Sequence, residues 1–175
     1  MNGTIYTNCT GMGEGNVTTA KDTALLCSEL AKYKNLTPYL TCWLDTVRDG
    51  KAELVNLNRL VRTYKGVTGM KAWGSEKAGS CIAATAEKGD MSVCVVLNGC
   101  DSQEDMNAEA KKLLNLAFDT YEIYTPELPE DMVNETVVCG GEELSVELAP
   151  EGLYPIVIPR GTYRMVECDF TAEEK

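Results

Sequence analysis

Three features of this sequence predict an α/β fold of the mixed, α+β kind, with an antiparallel sheet, flanking helices and a small all-β unit at the end. Apolar residues recur at helical spacing from Ala20 to Ala31 and again from Ala108 to Tyr121. Between these stretches, two long apolar runs meet at Lys88-Gly89-Asp90, the pattern of a hairpin. After Pro126 the composition shifts to short β-prone runs separated by Gly and Pro turns.

The first helix is expected to start at Thr19, an N-cap residue, with Asp22 reaching back three residues later. Ala20, Thr23-Ala24, Cys27, Leu30 and Ala31 form its buried face, and it should run to about Lys34, with one more turn over Leu36 to Leu40. Trp43 to Arg48 and Ala52 to Val55 read as a hairpin around Asp49-Gly50. Asn56 to Arg62 follows as a short irregular or helical piece, and residues 66 to 74 hold a strand or its entrance. Ser80 to Glu87 and Met91 to Leu97 make the clearest hairpin. Its second strand, SVCVVL, is apolar on both faces and should be central or covered. Ser102 caps a long helix that should end near Tyr124, before Pro126. Strands are then expected at Thr136 to Cys139, Leu144 to Leu148, Tyr154 to Ile158 and Tyr163 to Val166. This divides the chain into a main domain at 1–125, an acidic linker at 126–133 and a β unit at 134–175. A unit that short is marginal without disulfides, metals or a partner.

Composition narrows the function. The 16 basic and 27 acidic side chains give a net charge of −11, which argues against a nucleic-acid partner. No stretch approaches the ~18 apolar residues of a membrane-spanning helix. MNGTIYTNCTG lacks the basic and apolar regions of a signal peptide, so a chain complete as written would be cytoplasmic. The sequence has eight cysteines but no histidine and no C-x-x-C pair, so neither a zinc site nor a Ser-His or Cys-His catalytic pair is expected. Most cysteines sit in apolar runs such as Leu26-Cys27 and Val93-Cys94-Val95, where buried free thiols are expected. No cofactor is implied.

The local motifs point further. Tyr6-Thr7-Asn8-Cys9-Thr10-Gly11-Met12, Thr18-Thr19-Ala20-Lys21-Asp22-Thr23-Ala24-Leu25-Leu26, Asn56-Leu57-Asn58-Arg59-Leu60, Gly66-Val67-Thr68-Gly69-Met70-Lys71 and Lys77-Ala78-Gly79 follow one another in this order. Gly140-Gly141 and Tyr154 to Gly161 come later. In this order they resemble the D-alanyl-D-alanine carboxypeptidases, the low-molecular-mass penicillin-binding proteins. These are serine peptidases that trim peptidoglycan stem peptides. The resemblance implies part of a penicillin-binding, β-lactamase-like transpeptidase fold: the later part of the catalytic domain, then the start of a C-terminal β domain.

Family chemistry needs an S-x-x-K nucleophile segment, an S-x-N segment and a K-T-G strand. None of the serines at 28, 75, 80, 92, 102 and 145 has lysine three places on, so no catalytic residue is assigned. The resemblance places the K-T-G position at Lys71, Ala72 and Trp73 as degenerate substrate-binding residues. Ala72 lacks the hydroxyl, and losing a hydrogen bond to a charged group costs ~1.5–3 kcal/mol. Trp73 stands where a glycine would let the substrate lie against the backbone. The implied ligands are a peptidoglycan peptide or a β-lactam, in the cell envelope where the family works. The chain itself is expected to be inactive alone, either as part of an enzyme or as a degraded or truncated product. A non-catalytic binding or scaffold module, pairing with a partner chain or a peptidoglycan-like ligand, is the alternative. In the family, the strand at 91–97 pairs with an N-terminal strand, so self-association or an N-terminal partner segment is expected there.

Overall fold

A computed structural model of the chain describes residues 1–11, 15–127, 135–137, 145–147 and 153–168. It forms two compact units, Met1–Asp119 and Thr120–Lys175.

In the first unit, helix α1 (Ala20–Leu30) begins as expected. The Thr19 hydroxyl accepts the Asp22 N–H at 3.1 Å from an extended N-cap. Asp22 does not reach back to the cap. Its buried carboxylate instead accepts the Gly3 N–H at 2.9 Å and the Thr4 hydroxyl at 2.8 Å, tethering the N-terminal segment to the helix. The helix stops at Leu30 rather than Lys34, because Tyr33 has left the helical region with ψ 80°. A 3₁₀ turn then leads into α2 (Thr37–Leu40).

Strands β1 (Leu44–Val47) and β2 (Ala52–Val55) pair as the expected hairpin, Leu44 opposite Val55. Arg48, Asp49 and Gly50 turn the chain with φ of 58°, 55° and 80°. The single turn α3 (Leu60–Thr63) follows.

The core is a three-stranded antiparallel sheet, β3 (Val67–Ser75), β4 (Gly79–Lys88) and β5 (Met91–Cys100), in the order β3-β4-β5. Helix α4 (Gln103–Thr120) starts on Ser102, whose hydroxyl accepts the Asp105 N–H at 3.0 Å. On one sheet face, Ala72, Ile82, Ala84, Ala86 and Val95 pack with Leu60 and with Met106, Ala110, Leu114 and Phe118 of α4. On the other, Ala83, Cys94 and Val96 pack with Cys27 and Leu30 of α1 and Leu40 of α2. Burial on both faces explains why β4 reads as an unbroken apolar run. SVCVVL in β5 is covered on both faces but is not central. Among the described residues it hydrogen-bonds only to β4, and Val95 alone in the strand is fully buried.

In the second unit the helix expected to reach Tyr124 has already ended at Thr120. Tyr121–Tyr124 is a strand, β6, and β7 (Glu135–Val137), β8 (Ser145–Glu147) and β9 (Ile156–Pro159) follow. β6 pairs with β9, Tyr121 opposite Pro159, and the Thr120 carbonyl accepts the Arg160 N–H at 2.8 Å. That pairing captures residues whose local spacing suits a helix equally well. Tyr163–Met165 is a 3₁₀ turn, not a strand, and it follows the tight turn at Gly161, where φ is 81°. Most of the expected linker, Cys139 and Gly140-Gly141 lie outside the described residues.

The described cysteines are free thiols, but not all are buried. Cys27 and Cys81 are, Cys94 and Cys100 are half-buried, and Cys9, Cys42 and Cys168 are exposed. None of the exposed three belongs to either buried cluster. No described helix is long and apolar enough to cross a membrane.

Candidate functional site

Lys71, Ala72 and Trp73 lie in sequence along β3, opposite Ala83, Ile82 and Cys81 of β4. Alternation along the strand divides them. Ala72 is 3% exposed and belongs to the α4-side core, whereas Lys71 and Trp73 share the α1-side face. Trp73 is half-buried there, packed against the cluster of Cys27, Met70 and Ala83. Lys71 is exposed between two buried neighbours, and among the described residues it has no hydrogen-bond or ion-pair partner. An ammonium on the same strand face as an aromatic ring can attract an anionic group that carries an apolar body.

The strand offers backbone as well. Among the described residues β3 pairs only with β4, so its outer edge presents free N–H and C=O groups to an extended ligand.

Several residues hold β3 in place. The Asn56 amide donates to the Cys42 carbonyl at 3.0 Å, and its oxygen accepts the Asn58 N–H at 2.9 Å. Fully buried Asn58 accepts the Leu60 N–H at 3.1 Å, which seats α3 so that Leu60 fills the core. The Tyr64 hydroxyl donates to Asn115 at 2.8 Å and ties this segment to α4. Gly66 then turns the chain into β3 with φ 93°, and its carbonyl accepts the Glu87 N–H at 2.8 Å. A Cβ at Gly66 would collide with the Glu87 carbonyl oxygen, so only glycine fits. Beside the entry, the Thr68 hydroxyl donates to buried Thr85 at 2.8 Å.

Other candidates are already engaged. Ser102 serves as the cap of α4, and the Ser75 hydroxyl accepts the Ala78 N–H at 3.1 Å in the β3–β4 turn. A groove lined by Trp43, Arg59, Arg62 and Thr63 does not include Lys71, Ala72 or Trp73. Its arginines are occupied, Arg62 over the Trp43 ring at 4.8 Å and Arg59 on Glu104 at 2.7 Å. That Arg59 hydrogen bond holds the Glu104 carboxyl below its ordinary range.

Sequence reasoning passed over the Asp22 tether and the Thr68–Thr85 pair. The first had a faint signal in the threonine-rich run around Asp22. The second joins residues 17 apart through a sheet register, which local patterns do not carry.

The profile of a family described as D-alanyl-D-alanine carboxypeptidase matches residues 1–101. D-alanyl-D-alanine carboxypeptidase DacF of Bacillus subtilis (strain 168) is 33% identical over 162 residues, covering 90% of this chain and 42% of that protein. D-alanyl-D-alanine carboxypeptidase DacC of Escherichia coli (strain K12) is 30% identical over 120 residues, covering 68% and 30%. The chain therefore spans less than half the length of these relatives. Among solved structures, penicillin binding protein 5 from Haemophilus influenzae superposes with a TM-score of 0.78 at 24% identity, covering 92% of this chain and 47% of that one. Penicillin-Binding Protein D2 from Listeria monocytogenes, in its cefotaxime-bound form, gives 0.60 at 26% identity over 66% and 48%.

Proposed function

This chain belongs to the D-alanyl-D-alanine carboxypeptidase family, and from that premise we propose that its residues form the substrate-clamping strand of an acyl-serine site. The observation that carries the reading is Lys71, an exposed cation that among the described residues has no partner, on a strand paired there on one side only and on the same face as the half-buried ring of Trp73. A peptidoglycan stem peptide ends in a carboxylate on a small D-amino acid. Lys71 pairs with that carboxylate, while the outer edge of β3 hydrogen-bonds the extended peptide. Ala72, with its methyl in the core, contributes backbone only. Trp73 narrows the lane and favours a short, flat ligand.

Acyl transfer also needs an activated nucleophile. No serine in these 175 residues is followed three places later by lysine, so they do not perform the transfer by themselves. The test is incubation of the chain with benzylpenicillin and with an acyl-D-Ala-D-Ala peptide. Saturable peptide binding is expected, without a penicilloyl adduct and without release of D-alanine. An adduct would reveal a nucleophile within the chain, and no binding at all would remove the clamp.

A second reading, a scaffold module, is favoured by β5. Among the described residues its backbone is bonded on one side only, and both its faces are apolar and packed, so a further strand added there would extend the sheet. A partner segment or a second copy would fill that edge. A chain that stays monomeric by sedimentation at high concentration would count against the second copy.

A further inference from the structure

Strand β5 lacks the devices that usually close a sheet edge. Met91–Cys100 holds no charged residue and no proline over 10 residues, in a chain of net charge −11. Its irregularity is confined to one end. The register with β4 runs unbroken from Met91 opposite Lys88 to Leu97 opposite Ile82, and the bulge falls between Leu97 and Cys100. The hydrogen bonds of β4 fix which backbone groups the edge displays. The Glu87 N–H bonds the Gly66 carbonyl on the β3 side, so Glu87 does not exchange bonds with Ser92, the residue opposite it in β5. In an antiparallel ladder the groups of such a pair turn outward, and the pattern alternates along each strand. Ser92, Cys94 and Val96 therefore direct N–H and C=O to the side where no described strand pairs, while Val93, Val95 and Leu97 face β4. Helix α4 adds an apolar flank on the same side. Tyr64, which leads into β3, bonds Asn115, so Asn115 marks the flank of α4 toward β3. At ~100° per residue, Leu113 falls on the opposite flank, toward β5, with Leu114 in the core between them. Leu116 lies one turn on, beside Leu113, and the two leucines are 60% and 37% exposed.

We propose, resting on the scaffold reading of β5, that this edge pairs antiparallel with β5 of a second copy, centred on Cys94, and joins the two three-stranded sheets into one.

A surface used by both copies has to complement itself. Centring on Cys94 sets Ser92 opposite Val96 of the second copy and Cys94 opposite its own counterpart, so every outward N–H of these residues meets a carbonyl. The two-fold axis then stands perpendicular to the sheet and keeps like faces together. Val93 meets Val95 of the second copy, both on the α4 side, and Leu113 faces its counterpart across the axis. No like charges meet along the strand, and Asp90, just before it, falls opposite Asn98 rather than another acid. Two chains that each carry a net charge of −11 can therefore join here without bringing acidic groups into contact along β5.

The test uses the full chain, kept reduced, in sedimentation equilibrium and amide hydrogen exchange from low micromolar to near-millimolar concentration. A monomer–dimer equilibrium is expected, with exchange at Ser92, Cys94 and Val96 slowing about tenfold or more as the dimer fills. Leu113→Glu would set two carboxylates against each other across the axis and should weaken the dimer about tenfold or more. If that variant does not fold, the exchange pattern of the unaltered chain still decides. A chain that stays monomeric would overturn the proposal, and so would a dimer whose three edge amides exchange as fast as in the monomer. Adding a synthetic peptide of residues 90–98 to a monomeric chain tells the loss of the dimer from the loss of the scaffold reading. Protection of the three amides by the peptide would mean that the edge accepts a strand but not a second copy. No protection would remove both.

Discussion

Among the described residues the exposed Lys71 side chain has no hydrogen-bond or ion-pair partner, so Lys71→Ala should change stability by no more than about 0.5 kcal/mol. Under the clamp reading it should nevertheless abolish binding of an acyl-D-Ala-D-Ala peptide, and calorimetric titration beside a thermal melt separates the two effects. Its neighbour behaves in the opposite way. Ala72 faces Leu60, Ile82 and α4, so Ala72→Thr would bury a hydroxyl among apolar groups and should cost about 1–3 kcal/mol in denaturant unfolding. Restoring the family hydroxyl therefore weakens the fold it is meant to serve. Asp22 gives a pH signature. The Thr4 hydroxyl and then the Gly3 N–H hold its carboxyl below the ordinary value of 3.8. The tether is thus at full strength above that value and is lost as pH falls through the lower folded one. Asp22→Asn should lower Tm near pH 7, where the carboxylate is fully charged, and flatten its decline on the acid side of about pH 4, so that the two proteins converge there. An unchanged acid limb would show that the carboxylate contributes nothing.

The elements differ in how openly the sequence announced them. Thr19 and Ser102 cap where a side-chain oxygen can meet the first free N–H groups, and Asp49-Gly50 turns where positive φ is tolerated. Such local chemistry is written in adjacent residues. β6 was not legible, because Tyr121–Tyr124 continues an apolar periodicity and its partner β9 lies far along the chain. The division of Lys71 from Ala72 was legible in principle, since neighbours on a strand face opposite ways. The family motif draws attention to the triplet as a unit and obscures that division. Gly66 governs the entry of β3. Its positive φ and the Glu87 carbonyl together should make Gly66→Ala cost about 2 kcal/mol or more, read as a drop in the denaturant midpoint. A loss below about 0.5 kcal/mol would mean that the entry can rearrange around a side chain.

Across the described residues, the sheet of the first unit is covered on its two faces and unpaired at its two edges. The faces explain why so much of the family fold is maintained at a net charge of −11: of the described acidic groups, only Asp22 is buried. The edges are what the proposed function uses: in it, β3 would receive a peptide and β5 a strand. The most direct test of the clamp is an amide ¹H–¹⁵N titration of the labelled chain with an acyl-D-Ala-D-Ala peptide. The account predicts saturable shifts concentrated on Met70 to Gly74 and on the Trp73 indole, all absent in Lys71→Ala. Shifts elsewhere that leave β3 untouched, or shifts along β3 that survive loss of the Lys71 ammonium, would contradict it.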